Sequence, residues 1–255
     1  MATSSSAAFS SSGHGERGRI GVVLCHGFTG SPVSVLEWAR YLSHLGFAVR
    51  VPLLPGHGTT WQELAATPWR AWYEEVERSY IDLRGETDVQ IAAGLSMGGA
   101  LALRLTACED VAGAAVVNPG LTIEDPRARF SGLMKYLVKS VPSIGNSIKK
   151  EGVDEQAYPR TPVAAVHQLG KLFRDTTALL PRITVPVLAF RSTVDPVVAE
   201  SSMDALRAGI SSELLEIVSL TNSYHVATMD HEAETIFSGT ADFITRLGGG
   251  RGGGA

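Results

Sequence analysis

One short segment places a serine where its hydroxyl could act as a nucleophile. Residues 94–98 read Gly-Leu-Ser-Met-Gly, which matches Gly-x-Ser-x-Gly, the nucleophile elbow that holds a serine at a sharp turn between a strand and a helix. A side chain on Gly94 or Gly98 would collide with the neighbouring strand or helix in so tight a turn. Ser96 is therefore the candidate nucleophile, although a turn of small residues without catalytic meaning would match the same pattern.

A serine hydroxyl needs a base to accept its proton, and the base needs an acid to orient it. Asp195 and His225 follow Ser96 in the order known for this kind of elbow. His225 lies in a loop just after the last predicted strand. Several other histidines fall in the N-terminal tail or in predicted helices, namely His14, His44, His167 and His231. We therefore assign the base to His225 and the orienting acid to Asp195.

Each of these two assignments has a structural alternative. Asp195 precedes Pro196 and could instead cap the helix that follows. His225 could be a loop histidine with an incidental hydrogen bond. The competing acids Asp175 and Asp204 fall in predicted helices or in the cap, and the order of serine, acid and histidine favours the catalytic interpretation.

The tetrahedral intermediate of acyl transfer also needs hydrogen-bond donors for its oxyanion. The backbone N–H of Met97, directly after the candidate nucleophile, is one candidate. The second should come from the loop after the first buried strand, where Phe28 follows His26-Gly27. In this interpretation His26 holds the loop and is not a base, and Phe28 could also simply pack.

The segments that must bring these residues together alternate between strand and helix. Apolar runs predict buried strands at 20–25, 47–51, 89–93, 111–117, 185–190 and 214–218. Amphipathic segments between them predict an α/β fold, with a mostly parallel sheet flanked by helices on both faces. Ligands bind at the carboxyl ends of such strands, so Ser96, Asp195, His225 and the loop at His26 should converge on one edge.

The domain is predicted to span residues 20–247. Its regular alternation breaks at 120–180, which we interpret as a small helical cap or lid inserted between two strands. Residues 1–19 are rich in Ser, Ala and Gly and are predicted to form a flexible tail, in which Ala7–Ser10 could add a short edge strand. The Gly-rich residues 248–255 are predicted to form a second flexible tail.

Within the cap, two helices are predicted. Apolar residues recur at helical spacing from Phe130 to Val141, and Thr161-Pro162 opens a second helix. The apolar character of the first helix suggests a lipophilic ligand beneath it.

The composition excludes several classes of protein. With 255 residues, 44% of them hydrophobic, the chain can form one large domain with a substantial core. A net charge of −4 without basic runs gives no reason to expect nucleic acid, and two cysteines do not indicate a disulfide framework. No apolar run approaches the ~20 residues of a membrane helix and no secretory signal is evident. We expect a cytoplasmic protein whose cap could touch a membrane surface transiently.

Five segments together resemble the small bacterial carboxylesterases and monoacylglycerol lipases of the α/β-hydrolase fold. They are His26-Gly27-Phe28-Thr29-Gly30, Gly56-His57-Gly58, Gly94-Leu95-Ser96-Met97-Gly98-Gly99, Asp195 and Ser223-Tyr224-His225. The resemblance implies Ser96 as nucleophile, His225 as base and Asp195 as its orienting acid. It also implies an oxyanion hole formed by the N–H groups of Phe28 and Met97, a lid over an acyl pocket, and no cofactor or metal.

The expected activity is therefore hydrolysis of carboxylic esters of lipophilic acids through an acyl-enzyme, with monoacylglycerols as plausible substrates. Thioester hydrolysis or acyl transfer with the same triad stays open, because the sequence does not distinguish acceptors. A haloalkane dehalogenase is disfavoured, since it would need a carboxylate at the position of Ser96. A ligand-binding module without activity is disfavoured by the presence of nucleophile, acid and base together.

Overall fold

The computed structural model of the chain describes residues 7–125, 131–143 and 145–251. Its strands, in chain order, are β1 (Phe9–Ser11), β2 (Ile20–Cys25), β3 (Ala48–Val51), β4 (Val89–Leu95), β5 (Gly113–Val117), β6 (Ser140–Pro142), β7 (Arg160–Pro162), β8 (Val187–Ser192) and β9 (Leu215–Leu220). Its helices are α1 (Leu36–His44), α2 (Trp61–Ala66), α3 (Trp69–Arg84), α4 (Met97–Cys108), α5 (Ser131–Met134), α6 (Val163–Leu179), α7 (Ser201–Gly209) and α8 (Ala233–Arg251).

Within these described residues, seven strands form one sheet in the order β1-β3-β2-β4-β5-β8-β9. The pairs from β3 to β9 are parallel, and only β1 runs antiparallel to its neighbour β3. The predicted α/β fold with a mostly parallel sheet is confirmed. Parallel strands need covered faces, and β4 at the centre is buried along its whole length.

The helices bury two separate apolar cores, one against each face of the sheet. On one face α3, α4 and α6 contribute Trp72, Leu101 and Phe173. On the other face α1 and α8 contribute Trp38 and Ile236. Such double coverage explains why the central strands have near-continuous apolar sequences and show no alternation of polar and apolar residues.

Regular structure lies within parts of the two predicted tails: β1 falls in 1–19, where the sequence allowed a short edge strand, and the last helix runs into 248–255. Phe9–Ser11 pairs with β3, because the open edge of β3 offers unpaired backbone groups and Phe9 packs against the apolar core beneath. At the other end α8 continues through Gly248 to Arg251. The ordered part of the domain therefore extends beyond residues 20–247 on both sides.

The first half of the cap differs from the predicted helix between Phe130 and Val141. Phe130 itself lies outside the described residues, α5 ends at Met134, and β6 then pairs antiparallel with β7. The β-branched Val141 favours an extended backbone, and Pro142 has no N–H to donate within a helix. The second predicted helix is confirmed, since α6 begins at Val163 directly after Thr161-Pro162.

No helix in the described part of the chain combines the length and the apolar character needed to cross a membrane.

The start of α4 rests on the backbone of β2 at a position where only glycine fits. A Cβ on Gly98 would lie 2.1 Å from the carbonyl oxygen of Cys25 and 2.6 Å from that of His26. Both atoms belong to rigid backbone, so the helix cannot accommodate a methyl group without moving away from the strand.

We expect Gly98→Ala to lower the free energy of unfolding by about 3 kcal/mol, because overpacking against backbone displaces the helix. Urea denaturation with an unchanged m-value measures the loss. Gly170→Ala in α6 is the matched control, since its Cβ would meet only Ile123 Cδ1 at an ordinary 3.8 Å. We expect the control to gain about 0.5 kcal/mol from helix propensity. A Gly98→Ala protein as stable as the parent would contradict the close contact.

Candidate active site

The elbow holds Ser96 in a backbone conformation that side chains rarely adopt. Its φ of 57° and ψ of −118° lie outside the helix that begins at Met97. A Cβ on Gly94 would lie 2.2 Å from the carbonyl oxygen of Gly98, so the turn leaves no room for another residue type there. The Ser96 N–H donates to Val117 O at 2.9 Å, and its carbonyl accepts from Gly120 N at 3.1 Å. The end of β5 thus secures the turn.

The structure brings all three predicted triad residues into contact. His225 Nε2 lies 2.8 Å from Ser96 Oγ, and His225 Nδ1 lies 2.9 Å from Asp195 Oδ2. Because a carboxylate can only accept, Nδ1 carries the proton and Nε2 is free to accept from the serine hydroxyl. The Asp195 side chain is 0% exposed, so water does not compete for this chain of hydrogen bonds.

Asp195 is held by four donors. Oδ1 accepts from the backbone N–H groups of Val197 and Val198, both at 2.9 Å. Oδ2 accepts from His225 and from Arg191 Nη1, the latter also at 2.9 Å. Burial acts to raise the pKa of Asp195, but the hydrogen bonds from His225 and from the two backbone N–H groups outweigh it and hold the pKa below its ordinary value. The carboxylate therefore stays ionised.

The alternative role of Asp195 as a helix cap does not fit the structure. α7 begins at Ser201, and Glu200 occupies the capping position. The local bonds of Asp195 close the turn that follows β8, so one side chain both shapes its loop and faces His225.

The loop that carries His225 is fixed by a buried amide. Asn118 Nδ2 donates to His225 O at 2.8 Å, and Asn118 Oδ1 accepts from Ser192 N at 2.9 Å. Ser192 Oγ donates to Tyr224 O at 2.8 Å, and Tyr224 N donates to the carboxylate of Asp230 at 2.9 Å. The histidine backbone is thus tied to the ends of β5 and β8, the elements that neighbour the elbow.

The loop after β2 lies against the elbow, as the sequence predicts. A Cβ on Gly27 would lie 3.7 Å from the Cβ of Ser96. The backbone N–H groups of Phe28 and Met97 have no protein acceptor among the described residues, so both are available to an oxyanion. The Phe28 ring packs edge-on against Trp72 at 6.0 Å between ring centroids, which shows that packing and an N–H role are compatible.

His26 holds this loop and is not a base. Its Nε2 accepts from Leu54 N at 3.2 Å, and its Nδ1 donates to Gly27 O at 2.9 Å. Burial lowers the pKa of His26 to about 4, and burial together with the nearby His26 lowers the pKa of His57 to about 3. Both rings are therefore neutral, and the imidazole of His57 stacks edge-on against that of His26.

The cap is anchored to the same loop through Tyr158. Its backbone N–H donates to Thr29 O at 3.0 Å, and its hydroxyl donates to Gly56 O at 2.8 Å while accepting from Thr59 N at 2.8 Å. Thr29 has a φ of 61°. The part of the cap that contains Tyr158, which we call the returning arm, therefore lies over the loop that carries Phe28.

A buried carboxylate lies beside this anchor. Glu155 is 9% exposed, accepts a hydrogen bond from Asn146 N, and has Oε2 4.0 Å from the position of a Cβ on Gly30. Burial raises the pKa of Glu155, and the bond from Asn146 and the charge of His225 oppose that shift. Glu155 thus lies within electrostatic reach of the histidine.

Four residues that shape the site were not predicted from the sequence, namely Asn118, Arg191, Tyr158 and Glu155. Asn118 and Arg191 are polar residues at or just beyond the end of an apolar strand, and that position was the available signal. Tyr158 and Glu155 lie in a cap loop without periodicity, where no signal existed. Among the described residues no group of three or more His, Cys, Asp or Glu side chains could hold a metal ion.

The fold and the contact between a serine, a histidine and an aspartate are characteristic of one class of protein. Residues 22–236 match the model of the alpha/beta hydrolase family, and the chain belongs to this family. It is a carboxylic ester hydrolase, as the following relatives indicate.

The chain is 38% identical over 240 residues to a thermostable monoacylglycerol lipase of Bacillus sp. (strain H-257), covering 92% of this chain and 94% of the relative. It is 25% identical to a carboxylesterase of Bacillus subtilis (strain 168), covering 89% and 92% of the two chains. A solved structure from work on the metagenome-derived lipolytic enzymes LipS and LipT superposes with a TM-score of 0.90 at 37% identity, covering 95% and 98%.

Asn118 does not contact the nucleophile, but its buried side-chain amide holds the loop of His225. Its replacement should therefore lower activity. We expect Asn118→Ala to lower kcat about tenfold, because the His225 backbone loses a tether and the ring samples unproductive positions. Steady-state hydrolysis of a p-nitrophenyl ester measures the change. Asn222→Ala is the control, since that exposed side chain only accepts from Lys149 Nζ. Equal kcat values for the two variants would show that the tether has no role.

Proposed function

We propose that Ser96, His225 and Asp195 form the catalytic triad of this ester hydrolase, and that its substrates are esters of lipophilic acids, monoacylglycerols among them. The single observation that carries the proposal is the unbroken chain of hydrogen bonds from Asp195 through His225 to Ser96 Oγ, at 2.9 and 2.8 Å.

The proposed reaction follows from the proton positions. His225 Nε2 takes the hydroxyl proton as Ser96 Oγ attacks the ester carbonyl, and the resulting imidazolium is stabilised by the ionised Asp195. The oxyanion accepts from the free N–H groups of Met97 and Phe28, each such donor being worth roughly 3 kcal/mol of transition-state stabilisation. His225 then protonates the leaving alcohol, and water cleaves the acyl-enzyme by the same route.

Two observations support a lipophilic acyl group. One relative that covers most of this chain bears the name monoacylglycerol lipase. The segment around α5 exposes large apolar side chains beside Lys135: Leu133, Tyr136 and Leu137 are 68–78% exposed. Such a surface suits a long acyl chain or a transient contact with lipid. Co-sedimentation with phosphatidylcholine vesicles measures that contact, and protein that stays in the supernatant at every lipid concentration would exclude it.

Glu155 supports a hydroxylated alcohol as leaving group. Its buried carboxylate lies near the loop of Gly30 and within electrostatic reach of His225. A carboxylate is a strong acceptor for hydroxyl donors, and the two free hydroxyls of a monoacylglycerol would supply them.

Replacement of the nucleophile tests the proposed chemistry. We expect Ser96→Ala to lower kcat by at least about 10⁴-fold on p-nitrophenyl esters from acetate to palmitate, because no other group forms the acyl-enzyme. A fluorophosphonate probe should label the parent at Ser96 and leave the variant unlabelled. The exposed Ser238 provides the control variant Ser238→Ala, with parental turnover. Wild-type turnover in Ser96→Ala, or an unlabelled parent, would refute the triad and revive a binding role without catalysis.

Two esters of the same acid that differ only in their alcohol test the role of Glu155. We expect Glu155→Gln to lower kcat/KM about tenfold for a monoacylglycerol, which loses charge-assisted hydrogen bonds, and less than about twofold for the methyl ester of the same acid. Glu151→Gln, exposed in the same cap, is the control. An equal loss on both esters would show that Glu155 supports the fold of the cap and does not recognise the alcohol.

A further inference from the structure

The carboxylate of Asp195 is shared between the imidazole and a permanent cation. Arg191 Nη1 and His225 Nδ1 both donate to the same oxygen, Asp195 Oδ2, each at 2.9 Å. Arg191 lies on β8, and its side chain is 10% exposed. Asp195, the orienting acid of the proposed triad, therefore accepts hydrogen bonds from an imidazole and from a guanidinium. The guanidinium is always charged.

Two further contacts fix the guanidinium in this position. Arg191 Nη2 donates to Val198 O at 2.8 Å, and Nε donates to Glu200 Oε2 at 3.1 Å. Glu200 is itself bound by Arg207 at 2.8 Å on its other oxygen. The cation is thus braced between the end of β8 and the start of α7, and it cannot turn away from Asp195.

The shared oxygen has an electrostatic consequence. Because both donors lie 2.9 Å from Oδ2, the two nitrogens are within about 6 Å of each other, a distance at which like charges repel appreciably in a buried site. An imidazolium at His225 gains less from an aspartate that already neutralises a guanidinium.

Other charged groups around His225 do not cancel this effect. Glu155 of the cap acts in the opposite direction but is not in contact with Asp195. Asp230, after β9, is occupied by the backbone N–H groups of Tyr224 and Lys149. The Lys149 ammonium lies 6.0 Å from the Tyr224 ring centroid. In the described part of the chain, Arg191 alone brings a cation onto the carboxylate that pairs with His225.

We propose that Arg191 is a positioning residue that extends the active pH range of the enzyme toward acid by holding a fixed positive charge on Asp195. The proposal rests on the triad proposed above. It assigns Arg191 no contact with substrate, because every donor it uses is committed to the aspartate loop and Glu200.

The acid limb of the pH profile tests the proposal. The measurement is kcat/KM for a short soluble p-nitrophenyl ester from about pH 4 to about pH 9, where the limb reports protonation of the free enzyme's base. We expect Arg191→Gln to move the acid limb upward by about one pH unit, so that kcat/KM on the acid side falls about tenfold relative to the parent while the alkaline plateau changes by less than about threefold.

Conservative and matched variants separate charge from structure. Arg191→Lys keeps the cation and should restore the limb to within about 0.3 pH unit of the parent. Glu200→Gln removes the carboxylate that binds Arg191 Nε and leaves the cation in place. Because a negative charge is lost, the acid limb should move slightly toward lower pH. Arg246→Gln removes an exposed cation that pairs with Glu216, and the limb should not move.

A residue that merely supports the fold would behave differently. In that case Arg191→Gln and Glu200→Gln would both lower kcat/KM at every pH and leave the limb where the parent has it, which would overturn the proposal. If Arg191→Gln does not fold, Arg191→Met takes its place: an acid limb that moves upward supports the proposal, and an unmoved limb overturns it. If Ser96→Ala is inactive but the acid limb of Arg191→Gln stays where the parent has it, the role of Arg191 is refuted and the triad is kept.

Discussion

The geometry of the site depends on how closely the backbone of α4 approaches β2. At Gly98 the two segments are so near that a single Cβ would overlap the carbonyl of Cys25. The loop of Phe28 continues directly from that carbonyl, so the same contact sets how closely this loop approaches Ser96. The positive φ of Ser96 follows from this packing, and strain of this kind persists only where the surroundings determine it from several sides.

The cap is divided into an anchored arm and an exposed arm. The returning arm is bound to the loop of Phe28 through the backbone of Tyr158, and to the loop of Gly56 through its hydroxyl, so a displacement of this arm would disturb both loops. On the other arm, the side chains of Leu133 and Leu137 are 68% and 77% exposed. The two arms of the cap are therefore restrained to different degrees.

The sequence predicted those features that depend on local chemistry. The elbow, the glycine loop at His26 and the strand ends that carry Asp195 and His225 all have strict local requirements, and the parallel sheet then forces them to one edge. The helix predicted from Phe130 to Val141 ends early, at Met134, because helical spacing in a short apolar stretch does not show where a helix gives way to a strand that pairs with a later segment. The contacts of Tyr158 join segments far apart in sequence, which no local pattern encodes. Those of Arg191 stay within its own loop, up to Glu200, but they depend on a turn without periodic spacing.

The two histidines nearest the elbow differ in their partners, and this difference determines their roles. His225 faces the carboxylate of Asp195 and the hydroxyl of Ser96, whereas His26 is bonded to backbone groups and is neutral when folded. Unfolding exposes His26 to water, where it binds a proton below its ordinary pKa of 6.5. The unfolded chain then holds more protons than the folded chain, so the contribution of His26 to stability decreases as the pH falls from about 6.5 toward about 4. Acid therefore weakens the fold at the buried ring that holds the loop of Phe28.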